Sequence, residues 1–106
     1  MTDKRVVLTT CGSLEEARRI ARQLVEQGLA ACVNVVPQIE SVYRWKGEVE
    51  TATELLLVIK TVASAFEPLR EAIRRLHTYD LPECVAFAIE EGSPAYLDWI
   101  ANSVKP

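Results

Sequence analysis

The sequence predicts one α+β domain, residues 1–106, with elements in the order β-α-β-β-α-β and a short C-terminal helix. Two amphipathic helical patterns, at residues 14–25 and 66–76, are each flanked by segments rich in β-branched and apolar residues. A long hairpin pattern lies between them, and 106 residues is the length of a single domain. This order predicts a four-stranded antiparallel sheet with both main helices on one face.

The first strand is predicted at residues 5–10, which are rich in β-branched side chains and lead into a turn at Cys11 and Gly12. Ser13 and Glu16 have the spacing of a capping box, in which each residue satisfies a free backbone N–H at the helix start. Gly28 is expected to end this helix, because glycine adopts the left-handed conformation without steric cost.

The hairpin begins with residues 29–36, which are almost all apolar and predict a buried strand. Pro37 is expected to bend or end this strand. Residues 39–45 alternate between the two faces of a second strand segment, and a turn is predicted at residues 46–48. Residues 49–61 are predicted to form the returning strand. The hairpin is longer than a small sheet needs. Because long apolar edges are seldom left unpaired, we expect a homo-oligomer.

The second helix is predicted to begin near Ser64, which has capping-box spacing to Glu67. Residues 84–90 predict the last strand. Ser93 and Pro94 predict the start of the final helix, since proline suits the first helical turn. The side chains expected to face inward on the two helices are Phe66, Leu69, Ile73, Leu76, Leu97, Ile100 and Val104.

Composition excludes several classes of protein. The net charge of −3 and the pI near 5.2 argue against nucleic-acid binding, which depends on clustered Lys and Arg. The longest apolar run, residues 55–59, is far too short to cross a membrane, and the first residues lack the apolar segment of a secretory signal. Cys11, Cys32 and Cys84 form no C-x-x-C motif, so no disulfide framework or thiolate zinc site is predicted. We expect a cytoplasmic protein.

Four side chains are candidate metal ligands. Cys11 lies at the end of the first strand, just before a helix N-terminus, where a thiol can become a soft ligand or remain inert. His77, the only histidine, could form an N/O site with Asp80 and Glu83, or with ligands from other subunits. A histidine at a helix C-terminus is also favoured by the helix dipole alone. No nucleophile, phosphate-binding or dinucleotide motif occurs, so we predict that the protein is not an enzyme.

A second group of residues predicts a ligand cleft or a subunit interface. Tyr43 and Trp45 share one face of the hairpin, where aromatic side chains suit an interface or could instead pack on the last helix. Arg44 and Lys60 are strand cations that could meet an anionic ligand, a carboxylate or solvent. The full group is Tyr43, Arg44, Trp45, Lys60, Tyr79 and Trp99.

Several separated segments closely resemble the CutA divalent-cation-tolerance family. They are residues 30–34, Pro37, and residues 41–48, 54–61, 77–83 and 96–99, and the resemblance runs from Val6 to about Val104. It implies a homotrimer of ferredoxin-like subunits, similar in architecture to PII signalling proteins, in which the long hairpins build sheets between subunits. It also implies a role in tolerance of copper and other divalent cations, with no agreed enzymatic reaction.

This chain departs from the family pattern at three positions. Thr78 and Asp80 stand where the family commonly has proline and glutamate, and Thr9 stands where copper-binding members can have cysteine. His77 is therefore the ligand that carries over most directly. The first hypothesis is a trimer that binds a divalent cation, with copper the expected ion, near an intersubunit cleft. The alternative is a PII-like signalling module that binds a small anionic ligand or a partner protein in that cleft.

Overall fold

A computed structural model describes residues 2–105 and contains one sheet and three α-helices. The elements are β1 (Lys4–Cys11), α1 (Leu14–Glu26), β2 (Cys32–Trp45), β3 (Glu48–Val62), α2 (Phe66–Leu76), β4 (Val85–Ala88) and α3 (Pro94–Ser103). The strands are antiparallel and lie in the order β2-β3-β1-β4. The predicted α+β class and element order are confirmed. None of the helices within residues 2–105 is long and apolar enough to cross a membrane.

The main core lies between one face of the sheet and helices α1 and α2. Alternate residues of β1 and β3 point to this face, as the pleat of a strand requires. Each fully buried Leu or Ile side chain here contributes roughly 1.5–3 kcal/mol relative to an exposed one. The fully buried side chains of this core include Val7, Cys11, Ile20, Leu24, Leu57, Ile59, Leu69 and Ile73.

The start of α1 confirms half of the predicted capping box. The Ser13 hydroxyl accepts the backbone N–H of Glu16 at 3.1 Å. The Glu16 carboxylate does not reach back to Ser13; it accepts from the N–H of Gly12 at 3.4 Å and from Thr78. At the other end, Gly28 has φ +74°, so glycine ends the helical segment as predicted.

The β2–β3 hairpin forms a long arm. β2 continues through Pro37, with a register shift between Val36 and Ile39. Lys46 and Gly47, with φ of 51° and 83°, form the two-residue turn, and positive φ at both positions matches the right-handed twist of a hairpin. The molecule measures 44 Å along its longest axis and 25 and 22 Å across.

Three sequence-based boundaries are wrong. The chain enters α2 through a 3₁₀ turn, Ala63–Ala65, so Ala65 is the N-cap and the predicted cap between Ser64 and Glu67 does not form. Glu67 instead pairs with Arg70 at 2.9 Å. β4 has four residues, Val85–Ala88, rather than seven, because only those pair with β1. β2 begins at Cys32, since residues 29–31 form the connection from α1.

The opposite face of the sheet is only partly covered. At one end α3 packs Ile100 and Val104 into a second small core, with Leu97 against it, as the helical spacing predicted. Beyond α3 the apolar side chains of this face remain half-exposed; Phe87, for example, retains 55% of its accessible surface. This open sheet face consists of Val6, Leu8, Val36, Leu56, Val58, Val85 and Phe87.

Candidate functional site

A groove with a volume of about 630 Å³ lies between the hairpin arm and the segment that follows α2. Its chemically distinctive side chains are three aromatic residues and four acidic residues, and no Lys, Arg or His among residues 2–105 lines it. Pockets of this size can enclose a small ligand. The residues that define this hairpin groove are Tyr43, Trp45, Tyr79, Glu50, Glu54, Asp80 and Glu83.

One wall of the hairpin groove is the hairpin itself. Tyr43 on β2 is paired with Glu50 on β3, and its phenol donates to Glu50 Oε1 at 3.4 Å. Partial burial raises the pKa of Tyr43, and the negative charge of Glu50 raises it further. Trp45 lies two residues along the same face, as strand alternation predicted. Both rings are partly exposed, with 40% of the surface of Tyr43 and 42% of that of Trp45 accessible.

The facing wall is the segment after α2, which a hydrogen bond joins to the hairpin. The Tyr79 phenol donates to Glu54 Oε2 at 2.7 Å. Burial raises the pKa of Tyr79, and the hydrogen bond and charge of Glu54 raise it further. Glu54 keeps only 7% of its surface exposed. Because the phenol stays protonated at neutral pH, it remains a hydrogen-bond donor under ordinary conditions.

His77 lies behind the hairpin groove, with a fully buried side chain. Its Nε2 is 2.6 Å from the carbonyl oxygen of Thr10, which can only accept, so this nitrogen carries the proton. Its Nδ1 accepts the backbone N–H of Tyr79 at 3.1 Å. The imidazole also contacts the Tyr79 ring at 4.6 Å between centroids. Binding a metal through either nitrogen would first break one of these hydrogen bonds.

Glu16 anchors the same segment from the other side. Its Oε2 accepts the N–H of Thr78 at 2.7 Å and the Thr78 hydroxyl at 2.9 Å, and the residue is 5% exposed. Burial opposes ionisation, but the hydrogen bonds from Thr78 outweigh it and hold the pKa of the Glu16 carboxyl below its usual value. The sequence indicated only a helix cap here. No local signal could identify Thr78, which lies 62 residues away.

Cys11 faces the core instead of the hairpin groove. It is fully buried, and burial raises the pKa of its thiol to about 12, with the charges of Glu16 and Glu54 acting in the same direction. A thiolate ligand would therefore be costly at this position. Thr9 is also fully buried, and its Oγ1 has no hydrogen-bond partner within residues 2–105.

The four sequence-predicted metal ligands divide into two pairs. Asp80 and Glu83 line the hairpin groove, whereas His77 and Cys11 lie beneath it. No group of three or more His, Cys, Asp or Glu side chains within residues 2–105 is close enough to hold a metal ion. The ligand set therefore stays a prediction.

The six predicted cleft or interface residues also divide. Tyr43, Trp45 and Tyr79 line the hairpin groove. The other three have contacts elsewhere: Arg44 donates to the carbonyl of Gly47 at 3.3 Å, Lys60 contacts the side-chain amide oxygen of Asn34, and the Trp99 ring lies 5.4 Å from that of Tyr96. The groove carboxylates Glu50 and Glu54 were not among the candidates.

Comparison with known proteins gives a consistent result. Residues 5–103 match the CutA1 divalent ion tolerance protein family. The divalent-cation tolerance protein CutA of Thermus thermophilus is 54% identical over 100 residues, which are 94% of this chain and 97% of that protein. The chloroplastic protein CutA of Arabidopsis thaliana is 47% identical over 94% of this chain, which spans 55% of that protein.

Solved structures are equally similar. The divalent cation tolerance protein Cut A1 from Thermus thermophilus superimposes with a TM-score of 0.95 at 51% identity, over 96% of this chain and 99% of that one. CutA1 from Oryza sativa gives a TM-score of 0.94 at 44% identity, over 96% of this chain and 94% of that one.

Proposed function

This chain belongs to the CutA1 divalent ion tolerance protein family, and we propose that it binds a divalent cation in a cleft between the subunits of a homotrimer. The proposed subunit is ferredoxin-like and the proposed assembly has the architecture of PII signalling proteins. The observation that carries the proposal is the hairpin groove, whose charged side chains among the described residues are all carboxylates. Carboxylate oxygens attract divalent cations by charge and by direct ligation.

The open sheet face supports assembly. It places several apolar side chains on one surface, and Phe87 and Val85 remain 55% and 44% exposed in the single chain. Adjacent to it, β2 and β4 are the two edges of the sheet. Burying apolar surface and pairing free edges both favour contact with another copy. The number of copies, three, is what the resemblance to the CutA family implies.

Copper(II) is the divalent first-row ion that we expect to bind most tightly, because affinity for a given N/O site rises to copper in this series. In the proposed site Asp80 and Glu83 supply direct ligands from one chain, and a neighbouring subunit completes the set. His77 and Glu16 hold the Thr78–Tyr79 backbone and so position these two carboxylates.

Titration calorimetry of metal-stripped protein with copper(II) tests the proposal. We expect a dissociation constant well below about 1 mM, and at least about tenfold weaker binding in the double variant D80N/E83Q. The matched control is E91Q/D98N, which removes the same charge from two exposed carboxylates away from the groove. Copper affinity that is absent, or equal in both double variants, would contradict the proposal.

The PII-like alternative finds less support. An anionic ligand needs cations, and Arg44 and Lys60 do not line the hairpin groove. A thermal-shift panel of nucleotides and organic acids separates the two functions, because a ligand of the folded state raises the melting temperature.

The names of the relatives describe tolerance and not a reaction, and some relatives are named as chloroplastic. Absence of catalysis and a cytoplasmic location remain predictions for this chain.

A further inference from the structure

We propose that the outer part of the β2–β3 hairpin, residues 39–54, folds only when subunits assemble, so that the hairpin groove is complete only in the assembled protein. These residues form the outer ribbon. The coupling between folding and assembly rests on the self-association proposed above and is independent of metal binding.

The outer ribbon has two strands, whereas the rest of the sheet has three or four. β3 pairs with β1 over residues 55–62, and the last pair joins Leu55 to Cys11, where β1 ends. Beyond that point, within the described chain, residues 48–54 of β3 pair with residues 39–45 of β2 alone. A two-stranded hairpin by itself is marginally stable at best in water, because independent stability requires a third strand or a packed helix.

The outer ribbon is weakly attached to the rest of its own subunit. Residues 39–53 are all exposed or partly exposed. Among residues 2–105, one side-chain hydrogen bond joins the ribbon to other elements, and it lies at the base of the ribbon, between Glu54 and Tyr79. The bonds of Tyr43 and Arg44 stay within the ribbon. Ordering this backbone costs conformational entropy, and so few contacts do little to offset that cost.

A break in β2 separates the outer ribbon from the inner part of the hairpin. The register shifts between Val36 and Ile39. Pro37 lies in this break and has no N–H to donate to a neighbouring strand, and Gln38 has a φ of 60°. A bulge of this kind interrupts the ladder of hydrogen bonds. The ribbon can therefore lose its order while residues 32–36 stay paired with β3.

Apolar side chains on both faces of the outer ribbon indicate that another copy of the chain covers it. Tyr43 and Trp45 retain 40% and 42% of their surface on one face, and Val42 and Val49 retain 66% and 62% on the other. The face with Tyr43 continues the open sheet face, since alternate residues of β3 share one side. Burying these side chains on assembly supplies the free energy that orders the ribbon.

The hairpin groove depends on this ordering. Tyr43, Trp45 and Glu50 belong to the outer ribbon, whereas Asp80 and Glu83 lie on the facing segment. A subunit whose ribbon is unfolded keeps the second wall of the groove and lacks the first. Any ligand that needs both walls therefore binds only to the assembled protein.

Hydrogen–deuterium exchange with peptide mass spectrometry tests the coupling, and native mass spectrometry reports the assembly in each sample. F87E supplies dissociated subunits, or V85E/F87E if F87E stays assembled. We expect amides of residues 39–54 to be protected in the unaltered protein and to exchange at least about a hundredfold faster in dissociated subunits. Residues 4–11 and 55–62 should stay protected in both samples, which shows that the core is folded.

Two results overturn the coupling alone: an outer ribbon that keeps its protection in dissociated subunits, or one that is unprotected in the assembled protein. An unaltered chain with a mass of 11.8 kDa would overturn the self-association and the coupling together.

A disulfide across the outer ribbon provides an independent test. Ser41 and Ala52 are directly paired, at a separation that a disulfide can span. In the F87E background, oxidised S41C/A52C should assemble at concentrations at least about tenfold lower than the same protein after reduction, because part of the ordering precedes assembly. Equal association of the oxidised and reduced forms would contradict the coupling.

Discussion

The phenol of Tyr79 and the carboxylate of Glu54 are joined by a 2.7 Å hydrogen bond that links two elements 25 residues apart in sequence. One partner lies on β3 and the other follows α2, so the bond joins the two walls of the hairpin groove. Behind it, His77 and Glu16 hold the backbone of Tyr79 and Thr78. A small, partly buried polar network therefore holds the two walls of the groove together.

Replacing Tyr79 with phenylalanine removes the Tyr79 donor and leaves the Glu54 carboxylate buried without it. We expect the free energy of unfolding to fall by about 1–3 kcal/mol. Urea unfolding at a fixed protein concentration measures this change, since the stability of an oligomer depends on concentration. The control is Y96F, which removes the hydroxyl of an exposed tyrosine on α3. Equal midpoints for the two variants would show that the bond contributes nothing.

Glu16 should make the protein sensitive to acid. Its pKa is lowered in the folded state from a usual value of 4.5, so its contribution to stability is present above pH 4.5 and is lost as pH falls through the folded pKa. The stability advantage of the native protein over E16Q should therefore shrink on acidification below about pH 4.5. Urea unfolding across this pH range measures the difference in the free energy of unfolding. The control is E26Q, which replaces an exposed glutamate. A constant advantage at all pH values would contradict the network described here.

Cys11 should resist alkylation in the folded protein. Its pKa near 12 leaves almost no thiolate at neutral pH, and the side chain is fully buried. We expect iodoacetamide at about pH 8 to modify Cys11 only after unfolding in urea. Peptide mass spectrometry identifies the modified residue, and half-buried Cys32 in the same sample provides the comparison. Modification of Cys11 at the same rate with and without urea would place its thiol outside the core.

A charge on the open sheet face should weaken self-association. Phe87 is 55% exposed in the single chain, and F87E would place a carboxylate in the proposed interface. We expect the subunits to dissociate at protein concentrations at least about tenfold higher than for the unaltered chain. Sedimentation velocity measures the species present. L14E, an exposed apolar position on α1, should assemble normally. Equal association of F87E and L14E would locate the interface elsewhere.

Local patterns were sufficient to predict most of the fold. The Ser13 cap, the hairpin turn at Lys46 and Gly47, and the inward spacing of Leu97 and Ile100 are set by neighbours in sequence. The Ser64 cap was wrong because a 3₁₀ turn carries the chain into α2. Capping spacing alone does not reveal such a turn.

The site could be predicted only in part. Strand alternation placed Tyr43 and Trp45 on one face, and the same alternation turns Arg44 away from them. Glu54 was missed because its partner, Tyr79, lies 25 residues away, and a contact of that kind leaves no periodic signal. Glu16 was assigned only a capping role for the same reason.

Native mass spectrometry of metal-stripped protein, before and after about one equivalent of copper(II) per chain, tests the central claim most directly. The proposal predicts a species of three times 11.8 kDa, or about 35.4 kDa, that gains whole copper ions in the unaltered protein and in E91Q/D98N but not in D80N/E83Q. A monomer of 11.8 kDa, or a trimer that takes up no copper, would contradict it.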